Sequence, residues 1–315
     1  MKKVKFINRD NLLTGYLFFP ENYIESNIYR AVVVVGPSID SNTQVSFRYA
    51  SQLSQCGFIA LTFDPSFWGK STGEPRNLED PATRVEDIKC AADYLMTLPN
   101  VDENKVCLLG ICAGAGYAVS AAMTDYRFCA LATVCPSNIG SVYRKMLGRE
   151  MLFQTIKEIG IQRTRESKGA KRSYYQWTMH NRQAVNNVDI SDTEIHCGLE
   201  YDNKPKLNQN SCSNQMLFTS LGQLLTFDSF YMIADMLIQP LQVIVGGREG
   251  ELESYTYGME LFFMARSKSK DFYVIDDAEH YDFFSESRFI DEAVTKLIIF
   301  YDENLNGNEV TFQVG

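Results

Sequence analysis

Five apolar residues in a row, Ala31 to Val35 ("AVVVV"), constrain this chain more than any other feature. The run has no polar alternation, so it suits a strand covered on both faces. Similar short runs recur as "FIALTF", "KVCLLG" (Lys105 to Gly110), "CALATV", "LQVIVGG" (Leu241 to Gly247) and "DFYVID" (Asp271 to Asp276). Helical patterns separate them. "FRYASQLSQCG" closes on Gly57, as helices often do. In "DPATRVEDIKCAADYLMTL", Asp80 can cap, Pro81 suits the first turn, and Val85, Ile88, Ala92 and Leu95 share a face. "AGAGYAVSAAM" is built of small residues, and "SRFIDEAVTKLIIFYDENL" is amphipathic. Alternation of this kind predicts an α/β fold with a mainly parallel central sheet and helices on both faces. "KVKFI" and "LTGYLFF", joined across Asn8 to Asn11, read as a leading hairpin.

The rhythm breaks between Ser137 and Pro240. "GSVYRKMLGREMLFQTIKEIG", "RSYYQWTMHNRQAV" and "SNQMLFTSLGQLLTFDSFYMIADML" read as helices with no β-rich segment among them. The division expected is a core of 1–136 with 241–315, and a helical cap insertion of 137–240 over the carboxyl ends of the strands, where open α/β sheets bind ligands. The cap carries a basic run that includes Arg144, Lys145, Arg149, Lys157 and Arg163, set in a chain of formal charge -9. It reads as a solvated helix face, or as an attraction for an anionic acyl substrate. The acidic balance argues against nucleic acid as a partner. No run reaches the roughly 20 apolar residues that span a bilayer. The eight cysteines show no CxxC pair and no zinc spacing. The expectation is a cytoplasmic protein with reduced thiols, no metal, no cofactor and no membrane partner; a homodimer is compatible with it.

"LLGICAGAGYA" (Leu108 to Ala118) places Cys112 between Gly110 and Gly114, after an apolar strand and before a helix. Gly-x-Cys-x-Gly in that setting has the form of a nucleophile elbow. The turn is tight, so positions two residues away must be small. It also aims the next backbone N–H, that of Ala113, toward an oxyanion, and the helix N-terminus favours negative charge. Two other readings stand beside it: a packed small residue, or a phosphate-binding turn. The stretch lacks the Lys-Ser/Thr of a P-loop and falls late for a dinucleotide motif. Among three histidines only His280 follows a late strand, in "VIDDAEHYDFF" before the final helix.

"FDPSFWGKSTGEPRNLEDPATRVEDIKCAADYL", "VCLLGICAGAGYA" and "AEHYDFF" together resemble dienelactone-hydrolase-like proteins of the α/β-hydrolase superfamily. The resemblance implies the α/β-hydrolase fold with Cys112 as nucleophile and His280 as base. It implies a second oxyanion N–H from Ser38 or Ile39, in a loop whose usual glycine run is reduced to Gly36. The triad acid should follow "LQVIVGG", but the expected position holds Gly250, leaving Glu249 or Glu251 as candidates. A Cys–His dyad is the alternative, adequate because a thiol needs less base strength than a hydroxyl. Trp68 reads as lining the pocket mouth or as bracing its loop, and Phe227 and Phe230 as walls of an acyl pocket. The reaction expected is hydrolysis of a small-molecule ester, thioester or lactone through an acyl-enzyme. The rivals are an acyltransferase using the same residues and a catalytically degenerate binding protein.

Overall fold

The parallel sheet forms where the apolar runs predict it. A computed structural model of the chain describes residues 1–37, 45–176, 215–250 and 252–306. Strand β3 (Tyr29–Val35) buries every residue from Ala31 onward. Ala31, Val33 and Val35 join one hydrophobic cluster, while Val32 and Val34 join the other. This is the period-two geometry of a strand with a core on each side.

The remaining strands are β1 (Lys2–Asn8), β2 (Asn11–Phe18), β4 (Ile59–Asp64), β5 (Val101–Ile111), β6 (Phe128–Val134), β9 (Leu241–Gly246) and β10 (Lys270–Ile275), in an eight-stranded sheet of order β1-β2-β4-β3-β5-β6-β9-β10. The β1–β2 hairpin is antiparallel and joins the edge of β4 antiparallel; all pairings from β4 through β10 are parallel. Helices α1 (Val45–Gln55) and α9 (Ser287–Asn306) cover one face, with Tyr49, Leu53, Leu297 and Tyr301 buried there. Helices α2 (Pro81–Met96) and α3 (Ala113–Thr124) cover the other. Asp80 caps α2 by accepting from the N–H groups of Ala82 and Thr83, and Pro81 begins the helix, as expected.

Between β6 and β9 lie α4 (Ile139–Ser167), a two-stranded ribbon of β7 (Tyr174–Gln176) and β8 (Gln215–Leu217), a 3-10 turn (Phe218–Ser220), α5 (Leu221–Thr226) and α6 (Ile233–Met236). Two expectations are corrected here. The ribbon interrupts a stretch read as wholly helical: Tyr174 and Tyr175 pair antiparallel with Leu217 and Met216, some forty residues away, a contact with no local signature. The stretch from Gln215 to Leu237 is not one helix either. Asp228 Oδ1 accepts from the N–H of Phe230 and from Asn138 Nδ2, taking backbone and side chain into a local turn. Met216, Leu221, Leu224 and Phe230 belong to the same hydrophobic cluster as α2, α3 and the sheet, so this segment shares the main core. The rest of the fold is α7 (Ser254–Met264) after β9 and a short α8 (Asp282–Ser285) before α9. Among the described residues no helix is long and apolar enough to cross a membrane.

Candidate active site

Strand β5 ends at Ile111 and α3 begins at Ala113, leaving Cys112 alone at the junction with φ 56° and ψ -125°. A non-glycine residue there is strained by order 1–3 kcal/mol, and such conformations persist only when surroundings over-determine them. The surroundings are backbone. Cys112 N–H donates to Val134 O at 3.0 Å, while the N–H groups of Ala115 and Ser137 donate to Cys112 O at 3.0 and 3.2 Å. The glycines allow this closeness. A Cβ on Gly110 would sit 2.4 Å from Ala115 Cα, and one on Gly114 would sit 2.3 Å from Gly36 O. The small neighbours read from sequence are therefore required by contact between helix, strand and the β3 loop. Cys112 remains partly exposed. Ala113, buried, opens α3, so its N–H is among those no intrahelical carbonyl can accept. Ser38, Ile39 and Glu251 lie outside the described residues.

His280 sits after β10, on a loop tied to the loop after β9. Gly247 N–H donates to Ile275 O at 2.9 Å, and Arg248 N–H to Ala278 O at 3.1 Å. Asp282 Oδ2 accepts from Glu279 N–H at 2.8 Å, closing the turn that carries the histidine. The His280 ring is 1% exposed and packs edge-on against Tyr281 and Phe284, each with centroids 5.2 Å away. Among the described residues neither ring nitrogen has a hydrogen-bond partner, so thiol and imidazole are not hydrogen-bonded in this conformation. Burial lowers the imidazole pKa to about 3, so the ring is neutral near pH 7.

Glu249 does not orient that ring. Its exposed carboxylate accepts from Thr256 N–H at 2.9 Å and from Thr256 Oγ1 at 3.2 Å, serving the first turn of α7. The α7 amide competes for the carboxylate and wins because it is local and unsatisfied. Trp68 is a brace. It is 4% exposed and donates Nε1–H to Leu78 O at 2.8 Å. Phe230 is 2% exposed and packs against Tyr257, whereas Phe227 stays partly exposed. In the basic run, Arg144 Nη1 donates to the carbonyls of Leu225 and Phe227 at the end of α5, and Lys145 pairs with Glu253. Arg149, Lys157 and Arg163 point outward from α4.

The sequence reading missed a buried ionic group under this region. Glu79, fully buried, accepts from Arg84 through both oxygens, at 2.9 Å from Nε and 2.7 Å from Nη2. Its Oε1 also accepts from Tyr117 Oη at 2.7 Å. Removing Glu79 or Arg84 alone strands a buried charge, at about 3–5 kcal/mol. In sequence, "LEDPATR" looks like a solvated helix start; only the i to i+5 carboxylate–guanidinium spacing hints otherwise.

The strand order and the elbow define an α/β-hydrolase fold, and the comparisons agree. A scan against models of known families finds no match. Over 307 residues the chain is 31% identical to the uncharacterized protein YcjY of Escherichia coli strain K12, spanning 96% of this chain and 99% of that one. The chain belongs to the family of YcjY and has an α/β-hydrolase fold. It is also 25% identical over 256 residues to the thiohydrolase aneE of Aspergillus aculeatus, covering 78% of this chain and 76% of the relative. The crystal structure of the α/β hydrolase GrgF from Penicillium sp. sh18 superposes with a TM-score of 0.79 at 19% identity, covering 97% and 99% of the two chains.

Proposed function

We propose that this protein is an acyl-transfer hydrolase acting on small-molecule esters or thioesters through Cys112. The observation that carries the reading is the strained Cys112 backbone at the β5–α3 junction, held by three backbone hydrogen bonds and two close glycine contacts. Buried Cys135 also has a positive φ, 40°, so the mark of Cys112 is that geometry combined with partial exposure on the turn that opens α3.

The thiol of Cys112 attacks the acyl carbonyl carbon, and its proton passes to a ring nitrogen of His280. The carbonyl electron pair moves to oxygen, which the Ala113 N–H and an N–H from Ser38 or Ile39 receive. Collapse expels the alcohol or thiol, protonated by the His280 imidazolium, and leaves the thioester acyl-enzyme. His280 then takes a proton from water, which attacks the acyl carbon, and the returning proton restores the Cys112 thiol as the acid departs. Burial keeps the His280 imidazole neutral at rest, so proton transfer from the thiol accompanies attack. Glu251 is the remaining carboxylate of the acid loop proposed to support the imidazolium, and a dyad is the alternative. The relative named a thiohydrolase favours thioesters over lactones. The narrower likeness to dienelactone hydrolases rests on the quoted segments alone.

The test is acylation. Wild-type protein mixed with p-nitrophenyl esters and acyl thioesters is expected to gain one acyl mass on the peptide containing Cys112, and Cys112→Ala to gain none. Release to water identifies the hydrolase, and turnover that requires an added alcohol, amine or thiol identifies the transferase. No acyl adduct with any donor would overturn the reading in favour of a binding protein.

A further inference from the structure

A column of rings and charge runs from the loop after β4 to the segment inserted between β6 and β9. The Arg84 guanidinium lies 5.8 Å from the centroid of the Trp68 ring and 5.8 Å from that of the Tyr117 ring. Tyr117 in turn lies against Phe227, with centroids 5.6 Å apart and planes at 32°. Glu79 locks the middle of the column by binding Arg84 and the Tyr117 hydroxyl together. The same short loop seats the inserted segment, because Glu79 N–H donates to Ser220 Oγ at 2.9 Å and Leu217 N–H donates to Asn77 O at 2.8 Å. Tyr117 stands on α3, five residues beyond Cys112.

We propose that Glu79, Arg84 and Tyr117 are positioning residues that hold Phe227 in place and thereby set which acyl chains are accepted. Asp228, next to Phe227, accepts from Asn138 Nδ2, and the N–H of the adjacent Ser137 donates to Cys112 O, which ties this end of the segment to the Cys112 turn. The proposal rests on the acyl-transfer reading above. Trp68, Arg84 and Tyr117 are buried, so the column acts through Phe227, its partly exposed end. A fixed aromatic wall excludes water from a long acyl group and leaves a short one untouched. The Glu79–Tyr117 bond fixes the ring on which Phe227 rests, and the Arg84 fork keeps the Glu79 carboxylate paired.

The test uses the full chain and p-nitrophenyl esters from acetate to decanoate. Tyr117→Leu, which removes ring and hydroxyl, is expected to lower kcat/KM for the preferred longer ester roughly tenfold through KM, with acetate unchanged within about twofold. Tyr117→Phe keeps the ring and is expected to fall between Tyr117→Leu and wild type. Amide hydrogen exchange in residues 221–227 is measured in parallel and is expected to quicken about tenfold in Tyr117→Leu. An equal fall for every chain length, or no change in both profile and exchange, overturns the proposal. Wild type that forms no acyl-enzyme defeats the acyl-transfer reading instead. Exchange at 221–227 then decides the seating role: quickened exchange supports it and unchanged exchange overturns it.

Discussion

Acidification should destabilise this protein through one residue. His280 is buried without a hydrogen-bond partner among the described residues, and its folded pKa is about 3 against 6.5 in its ordinary state. Between those values the unfolded chain binds a proton that the folded chain refuses. The stability from neutral His280 is therefore complete above pH 6.5 and is lost as pH falls toward 3. At pH 5 the loss is about 2 kcal/mol, and at pH 3 about 4 kcal/mol. Asp87 opposes it. Burial raises its carboxyl from 3.8 to about 6, against the hydrogen bonds of Asn8 and Ser66. Its contribution is present below 3.8 and lost as pH rises through 6, so acidification from pH 7 to 5 returns about 1.3 kcal/mol. Wild type alone would show only a shallow slope. The comparison that isolates the histidine is wild type against His280→Phe, since the Asp87 contribution is common to both. Phe suits the aromatic surroundings and removes two unpaired nitrogens, so at pH 7.5 the two proteins should agree within about 1 kcal/mol. The assay is urea unfolding at intervals from pH 7.5 to 4.5 with shared m-values checked. The variant should gain about 2 kcal/mol relative to wild type by pH 5. A difference constant within about 0.5 kcal/mol across the range would mean that His280 titrates normally and is solvated, and the reasoning would be refuted.

Iodoacetamide near pH 7.5 should label Cys112 about tenfold faster than exposed Cys56 by mass spectrometry, with Cys90 slower because burial raises its thiol pKa to about 11; labelling of Cys112 no faster than Cys56 would deny an activated thiol. Gly114→Ala should lower stability by about 2–3 kcal/mol and abolish acyl-enzyme formation, because its Cβ would press on Gly36 O and Val35 O; a stable, active variant would show that helix and loop can separate freely. Glu249→Gln should leave kcat within about twofold of wild type while costing about 1 kcal/mol, measured by ester turnover and urea unfolding, since its carboxylate serves Thr256; a loss of orders of magnitude in kcat would return Glu249 to the role of triad acid.

Local chemistry determined much of this molecule. Ala31 to Val35 had to be a doubly covered strand, because no polar face was left to meet water. Asp80 and Pro81 marked the start of α2 within three residues, and Gly110 and Gly114 marked the turn around Cys112. These signals act over a few bonds, so the sequence alone carries them. Tertiary structure decided the rest, where the partners are far apart along the chain. Tyr174 and Tyr175 became a strand because Met216 and Leu217 were there to pair with them. Glu79 became a buried anion because the fold brought Tyr117 to it across 38 positions and Ser220 across 141. Glu249 was drawn to the unsatisfied amide of α7 instead of His280, and Trp68 and Phe230 were committed to packing. Each outcome was a competition for one partner among many, and the winner is set by proximity that only the folded chain supplies.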